Sequence, residues 1–226
     1  MTKHLDRELQ RLRSALVDQF GTVEQMIQLS VRSLMERSTA LADQVIAGDE
    51  EVDQADLSIE EECLKLLALH QPVATDMRWL ITVVKINNDL ERMADLACNI
   101  AERAKSLEMS PLYPVPEEIQ EMVLISTRMV RDALDSFVES DAQKASEVIQ
   151  EDEQMDALNR TVIQNIKNSM RHSPDNVDPA LHCFSASRHL ERIADLATNI
   201  SEDVIYLVEG TIVRHQHDTY LPPSNP

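Results

Sequence analysis

Very little glycine and few aromatic residues occur in this chain: three glycines and 3% phenylalanine, tryptophan and tyrosine among 226 residues. No run of alternating apolar and polar residues stands out, and the nine prolines lie outside the long helical patterns. All-β domains need that alternation together with frequent glycine- and proline-containing turns. The sequence therefore argues against an all-β fold and predicts an all-helical one.

Further absences narrow the class of protein. The three cysteines are odd in number and lack CxxC spacing, which indicates buried thiols in a reducing compartment instead of disulfides. The chain has neither an apolar run of membrane-spanning length nor a signal-peptide core. A formal net charge of −19 opposes binding to nucleic acid or anionic membranes and favours cations or basic protein surfaces. We expect a cytoplasmic protein that does not insert into the membrane.

One twelve-residue segment occurs twice. Residues 89–100 read DLERMADLACNI, and residues 189–200, 100 positions later, read HLERIADLATNI. A second pair of segments, GDEEVD at 48–53 and EDEQMD at 151–156, repeats at an offset of 103. Two copies of one supersecondary unit explain both matches. We therefore expect a duplicated chain whose function lies in the residues that both copies share.

Helical periodicity and helix-breaking residues divide each copy into three long helices. In the first copy they are predicted over about residues 5–37, 49–69 and 75–107. In the second copy they are predicted over about 117–139, 152–170 and 179–209. A separate short helix is expected before each middle helix, at 39–46, where Gly48 ends it, and at 141–149. Short connections between long amphipathic helices are typical of bundles. The predicted fold class is all-α: two tandem three-helix bundles related by internal duplication.

The segment SPLYPVPEE, with three prolines, is the one convincing linker and marks the boundary between the bundles. We predict a first bundle over 1–109, a proline-rich linker over 110–116 and a second bundle over 117–210. Gly210 is expected to cap the last helix. The remaining residues, 211–226, are predicted to form a flexible tail.

Each copy also contains two pairs of acids spaced four residues apart, which places each pair on one face of a helix. In the first copy, Asp53 and Glu91 lie 19 residues on either side of Pro72, and Asp49 and Asp95 lie 23 residues on either side. At a rise of about 1.5 Å per residue, two antiparallel helices joined at Pro72 hold these acids level with one another. The second copy is arranged in the same way about residues 173–174. The sequence therefore predicts two groups of four carboxylates: Asp49, Asp53, Glu91 and Asp95, and Asp152, Asp156, Glu191 and Asp195.

We interpret these acids as two metal sites, with a solvated acidic surface as the alternative. Like charges four residues apart destabilise a helix by about 0.2–0.5 kcal/mol, and this cost is incurred four times. The second copy keeps all four acids although most exposed positions change. Carboxylates beside the Asn99 amide suit hard cations such as Mg²⁺, Ca²⁺, Mn²⁺ or iron. His70 and His182 are interpreted as ordinary surface or turn residues.

No catalytic motif accompanies the acids. The sequence contains no Gly-rich phosphate loop, no HExxH and no GxSxG. The Glu-x-x-His motif that di-iron bundle enzymes use is also missing. We therefore predict that the protein is not an enzyme. A carboxylate-bridged metal enzyme of the helical-bundle type is one alternative, and a purely structural helical module is another.

At these acids the chain resembles the PhoU family of bacterial phosphate-signalling proteins, over essentially its whole length to about Gly210. The four E(D)xxxD motifs named above carry the resemblance, and QPVATDMRWL at 71–80 looks like the turn between helices in that family. The resemblance implies a non-enzymatic regulator of phosphate uptake and of the phosphate-starvation response. It further implies an adaptor role between the phosphate ABC transporter ATPase and a sensor histidine kinase. Some family members hold iron or zinc clusters at these motifs and others lack metal. Iron, zinc or another divalent cation is thus the expected cofactor, and a homodimer is a candidate assembly.

Overall fold

The computed structural model describes residues 3–108, 110, 113–211 and 213. These residues form six α-helices and one short 3₁₀ helix, and no strand occurs among them. The helices are α1 (Lys3–Glu36), α2 (Thr39–His70), α3 (Thr75–Glu108), α4 (Glu118–Glu139), α5 (Ala142–His172) and α6 (Val177–Glu209), with the 3₁₀ helix at Pro174–Asn176. Helices α1–α3 form one bundle and α4–α6 the other, which confirms the predicted fold class. Along the described helices, none is both long and apolar enough to cross a membrane.

The two predicted short helices are wrong, because each is the first part of a longer helix. Helix α2 runs without interruption through Gly48, and α5 runs from Ala142 to His172. On either side of Gly48, Val45 and Val52 are both 1% exposed, so burial against the bundle keeps the glycine helical. Helix α5 contains no glycine or proline to end it. Tertiary packing thus outweighs the loss of about 1 kcal/mol that a glycine brings to a helix interior.

The apolar stripes predicted from periodicity face the core. In α2 they are Val52, Ile59, Cys63 and Leu66, and in α3 they are Leu90, Met93, Ala97, Ile100 and Ala104. The buried residues of both bundles form one continuous cluster and not two separate cores. The bundles are therefore joined along their lengths as well as through the linker.

Equivalent turns connect the first two helices of each bundle. Arg37 and Ser140 both adopt a left-handed backbone, with φ of 54° and 56°. The next residue then caps the following helix: Ser38 accepts a hydrogen bond from the Leu41 amide, and Asp141 accepts two from its own helix start. The Arg37 guanidinium also donates to three backbone carbonyls at the end of α3 and in the linker region, those of Leu107, Ser110 and Tyr113. Met109, Pro111 and Leu112 of that region and most of the predicted tail lie outside the described residues.

Helices α3 and α6 pack against each other in antiparallel directions. Lys85, in the first half of α3, forms a 2.8 Å ion pair with Asp203, near the end of α6. Arg78 donates to the Leu207 carbonyl oxygen at 3.3 Å and lies over the Tyr206 ring. At the other end, α3 meets the start of α6. Residues that share a place in the two repeats therefore meet near the middle of both helices.

We predict that Gly48→Ala stabilises the protein by about 0.5–1 kcal/mol, since Gly48 lies inside a continuous helix. An added Cβ would lie 3.9 Å from the Met26 side chain, which is an ordinary contact. Urea unfolding measures the change. Gly210→Ala is the contrasting variant, because Gly210 caps α6 with φ of +74° and a Cβ there would lie 3.1 Å from Arg78. It should destabilise by about 1–2 kcal/mol. A destabilising Gly48→Ala would show that α2 breaks at this residue.

Candidate metal centre between the two bundles

The register of α2 against α3 is fixed by contacts on both sides of the first acid group. On the side nearer the Pro72 turn, the Asn87 amide donates to the Asp56 carboxylate at 2.6 Å and to its backbone carbonyl at 3.0 Å. On the far side, the Cys98 thiol lies 3.8 Å from the Val45 carbonyl oxygen. The helices are therefore aligned as the spacing about Pro72 predicts.

Electrostatics show that the first four predicted acids share one neighbourhood. Burial raises the pKa of Glu91, and the negative charges of four nearby acids raise it further: Asp95, Asp56, Asp53 and Asp49. Burial also raises the pKa of Asp49, a hydrogen bond with Cys98 opposes that rise, and the charges of Asp53 and Asp95 add to it. Asp56 is thus a fifth member of this group, defined here as the first acid group. Burial, with Glu60 and Asp53 nearby, raises its pKa as well.

Cys98 belongs to the first acid group and is not the buried core residue that the sequence indicated. It is half-buried, whereas Cys63 and Cys183 are buried as expected. Burial, the charge of Asp49 and a hydrogen bond with that carboxylate together raise the pKa of the Cys98 thiol to about 12. The thiol is therefore neutral and acts as a hydrogen-bond partner of Asp49. Comparison of the two repeats could have indicated that Cys98 is not a core residue, because the residue that matches it in the second repeat is Thr198, which is polar.

The second acid group comprises Asp152, Asp156, Glu191 and Asp195. Burial raises the pKa of Asp195, and the charges of Glu191 and Asp156 raise it further. Asp195 is exposed and lines a pocket together with Arg192 and Asn199. Asp152 lies one helical turn before Asp156 in α5, and both are half-buried. Asp156, Glu191 and Asp195 therefore come together in this bundle as well, with Asp152 beside Asp156 on α5.

Among the described residues, arginine forms ion pairs with acids of the second group and with none of the first. Arg188 donates to Glu191 at 2.6 Å, and Arg188 and Arg192 oppose the rise in the pKa of Asp195. The residue that matches Arg188 in the first repeat is Asn88, which is exposed and carries no charge. Arg92 recurs in both repeats, but in the first it binds Asp89 at 3.3 Å. The first acid group is therefore the more negative of the two.

A pocket of about 580 Å³ lies between α3 and α6, and one acid of each group lines it, Asp95 and Asp195. Its lining consists of four residues from each repeat at an offset of 100: Arg92, Asp95, Leu96 and Asn99, and Arg192, Asp195, Leu196 and Asn199. Equivalent residues thus face each other about a pseudo-twofold axis. The sequence did not predict this pocket, because helical spacing within one bundle carries no information on how α3 packs against α6.

The donor atoms fit a hard cation. Carboxylates and the Asn99 and Asn199 amides are oxygen ligands of the kind that Mg²⁺, Ca²⁺, Mn²⁺ and iron accept. The Glu191 Oε2 atom is buried and has no hydrogen-bond partner among the residues that the structure describes. Within that part of the chain, no three side-chain donor atoms of the two acid groups lie within 4.8 Å of one another. Like charges repel, and a bound cation would remove that repulsion.

Together these features define a duplicated all-helical protein with two acid groups and a polar pocket at its pseudo-twofold axis. A family model described as the PhoU domain matches residues 16–104 and 119–204. The chain therefore belongs to the PhoU family.

Similar proteins match nearly the whole chain. One is a phosphate-specific transport system accessory protein PhoU homolog of Pseudomonas putida, 40% identical over 95% of this chain and 84% of that protein. A homolog of the same description from Aquifex aeolicus is 37% identical over 94% of this chain and 96% of its own length. The crystal structure of PhoU from Pseudomonas aeruginosa has a TM-score of 0.87 at 36% identity, covering 91% of this chain and 99% of that one.

We predict that Glu91→Gln raises the free energy of unfolding at neutral pH by about 0.2–0.5 kcal/mol, the size of one like-charge pair. The pKa of Glu91 is raised in the folded protein, so its ionisation opposes folding. That penalty is absent below the ordinary pKa, where folded and unfolded states are both protonated, and it appears as pH rises through the folded pKa. Urea unfolding at about pH 4 and about pH 7 measures the difference.

Glu191→Gln is the matched control, because it removes the same charge at the equivalent position. Glu191 accepts a 2.6 Å bond from Arg188, so its loss should destabilise the protein at neutral pH by about 0.5–1 kcal/mol. If both variants change stability in the same direction, the proposed difference in charge between the two acid groups is wrong.

Proposed function

We propose that this chain is a regulatory accessory protein of a phosphate-specific transport system. The observation that carries the proposal is the match to the Pseudomonas putida accessory protein, 40% identical over 95% of the chain. A second is the crystal structure named as the phosphate transport system regulatory protein PhoU from Streptococcus pneumoniae, which has a TM-score of 0.86 at 29% identity. Similarity along the whole chain supports a shared role and not only a shared fold.

The regulation we propose is by docking in the cytoplasm, without catalysis by this chain. The protein acts as an adaptor between the phosphate ABC transporter ATPase and a sensor histidine kinase, and represses the phosphate-starvation response when phosphate is plentiful. The net charge of −19 favours basic partner surfaces and speeds association with them. Asp53, Asp95 and Asp195 are exposed, so the acid groups are accessible to a partner.

We further propose that each acid group holds one or more divalent cations, with iron, zinc and Mn²⁺ as candidates. Asp49, Asp53, Glu91 and Asp95 supply oxygens to the first group. A bound cation supplies positive charge that neutralises these carboxylates and sets the charge of the docking surface. The support comes from the convergence of like charges in both bundles and from the Glu191 oxygen atom that lacks a hydrogen-bond partner among the described residues.

Arg188 makes the two acid groups unequal as cation sites. Its guanidinium lies 2.6 Å from Glu191 and repels an approaching cation, whereas Asn88 does not. A unit charge about 4 Å away is worth about 1 kcal/mol in water, or about fivefold in affinity. The first acid group therefore binds a given cation more tightly than the second.

We predict that Mn²⁺ stabilises the protein, by about 2.7 kcal/mol at 100 times the dissociation constant. Asp49→Asn with Asp53→Asn should remove the tighter site, and Asp152→Asn with Asp156→Asn the weaker one. Arg188→Asn should tighten the weaker site by about fivefold. Calorimetric titration and thermal melts measure these effects.

The control for these variants is Glu50→Gln with Glu61→Gln, which removes two exposed charges from α2 outside the acid groups. It should leave cation affinity close to that of the unaltered protein. Melts that do not change with Mn²⁺, Fe²⁺, Zn²⁺, Mg²⁺ or Ca²⁺ would mean that the acids are only a solvated surface.

We predict that Glu91→Ala with Asp95→Ala abolishes repression of phosphate-starvation genes in phosphate-rich medium while the protein still folds. Glu191→Ala with Asp195→Ala should do the same. These side chains lie beside the buried stripe, whose residues are unchanged, so circular dichroism should match that of the unaltered protein. A reporter gene in a strain that lacks the native copy gives the measurement, with Glu50→Gln/Glu61→Gln as the control. Normal repression in a strain without the protein would overturn the regulatory assignment.

A further inference from the structure

Two histidines and a glutamate meet where the start of α1 lies against the end of α2. His4 Nδ1 lies 3.1 Å from Glu8 Oε1, and His70 Nε2 lies 2.9 Å from Glu8 Oε2. One donor atom from each of the three residues lies within 4.8 Å of the other two. Among the residues that the structure describes, no other group of three His, Cys, Asp or Glu side chains meets this distance. The group involves neither acid group of the central pocket.

Helix geometry and capping hold the three side chains together. His4 and Glu8 are one turn apart on α1 and share a face, beside Leu5, which is buried. His70 is the last residue of α2, and the next residue, Gln71, ends the helix in a left-handed conformation with its amide bonded to the Leu67 carbonyl oxygen. The helix backbone thus fixes the Cα positions of all three residues, even though 62 residues separate Glu8 from His70.

The Glu8 carboxylate is positioned and charged as a metal ligand. Its side chain is 12% exposed, and its two oxygens contact different imidazoles. Lys65 is the nearby cation that would oppose metal binding, and its charge is paired with Glu62 at 2.9 Å.

The approach to the group is open on one side. The His4 side chain is 75% exposed and that of His70 is 21% exposed. A cation can enter there, and water can complete its coordination. Zinc is bound at about 2.0–2.2 Å by histidine nitrogen and carboxylate oxygen. Three donor atoms within 4.8 Å of one another can therefore surround one zinc ion after a movement of their side chains. The His4 side chain can move in this way, because His4 is exposed and is the second residue of α1.

We propose that His4, Glu8 and His70 bind one first-row divalent cation of the zinc class. His4 Nδ1, His70 Nε2 and a Glu8 oxygen are the protein ligands, and water occupies the remaining positions. Two imidazole nitrogens select zinc, cobalt, nickel or copper over Mg²⁺, Ca²⁺ and Mn²⁺, which prefer oxygen. The cation links the first turn of α1 to the residue before the α2–α3 turn. This site is independent of the function proposed above.

The test is a titration of the full chain with Zn²⁺ in excess Mg²⁺, followed through the imidazole signals of the seven histidines by NMR. The signals of His4 and His70 should shift together, and both shifts should be complete at one equivalent of Zn²⁺. Each signal is assigned by its absence from the spectrum of the His4→Ala or the His70→Ala variant. Loss of one ligand should weaken zinc binding at least about tenfold, because even the partners of metal ligands contribute 10–100-fold. Glu8→Gln should weaken it similarly.

His172→Ala is the matched control, because His172 is exposed at the end of α5 and bonds only its own helix, at the Asn168 carbonyl oxygen. It should leave the affinity for zinc unchanged. His4→Ala alters an exposed side chain and should fold, which keeps the test valid if His70→Ala does not. The proposal is overturned if the His70 signal still shifts with Zn²⁺ at unchanged affinity in His4→Ala and in Glu8→Gln. It is also overturned if binding is lost instead with Glu91→Ala/Asp95→Ala or with His215→Ala/His217→Ala.

Discussion

The antiparallel packing of α3 against α6 is the contact on which the arrangement of this molecule depends. It joins two bundles into one continuous core, and Lys85 and Asp203 pair across it at 2.8 Å. Because equivalent residues of the two repeats meet at mid-helix, Asp95 and Asp195 line a single pocket. A different crossing would leave two distant acidic surfaces. The pseudo-twofold packing therefore brings one acid of each repeat to a shared pocket, between the two acid groups.

The buried apolar residues and the clustered carboxylates occupy different faces of the same helices. Leu90 and Met93 are fully buried. Glu91 and Asp95, which are close to them in the sequence, belong to the first acid group. Burial of the apolar face outweighs the charge repulsion on the acidic face. Each buried side chain of this size stabilises the fold by about 1.5–3 kcal/mol, whereas each like-charge pair costs only about 0.2–0.5 kcal/mol. The duplication has also diverged. Arg188 stands where the first repeat has an uncharged residue, so the two halves of the pocket differ in charge.

Much of the fold and part of the site could be predicted from the sequence. Periodicity within a helix reports directly on burial, which is why the stripe from Leu90 to Ala104 is confirmed, and the spacing about Pro72 places the acids correctly. The predicted break at Gly48 is wrong because local propensity is weaker than tertiary packing. Contacts between bundles have no signature in helical spacing. The shared pocket and the meeting of Glu8 with His70 are therefore visible only in three dimensions.

An anomalous difference map from crystals soaked in Mn²⁺ tests the central claim most directly, because it locates cations without reference to activity. The account predicts density beside α3 and α6 at the mouth of the pocket, bounded by acids from both repeats. The density should be stronger at the first acid group, which contains Glu91, than at the second, where Arg188 pairs with Glu191. Occupied cation sites elsewhere on the surface, with none at the pocket, would contradict the account.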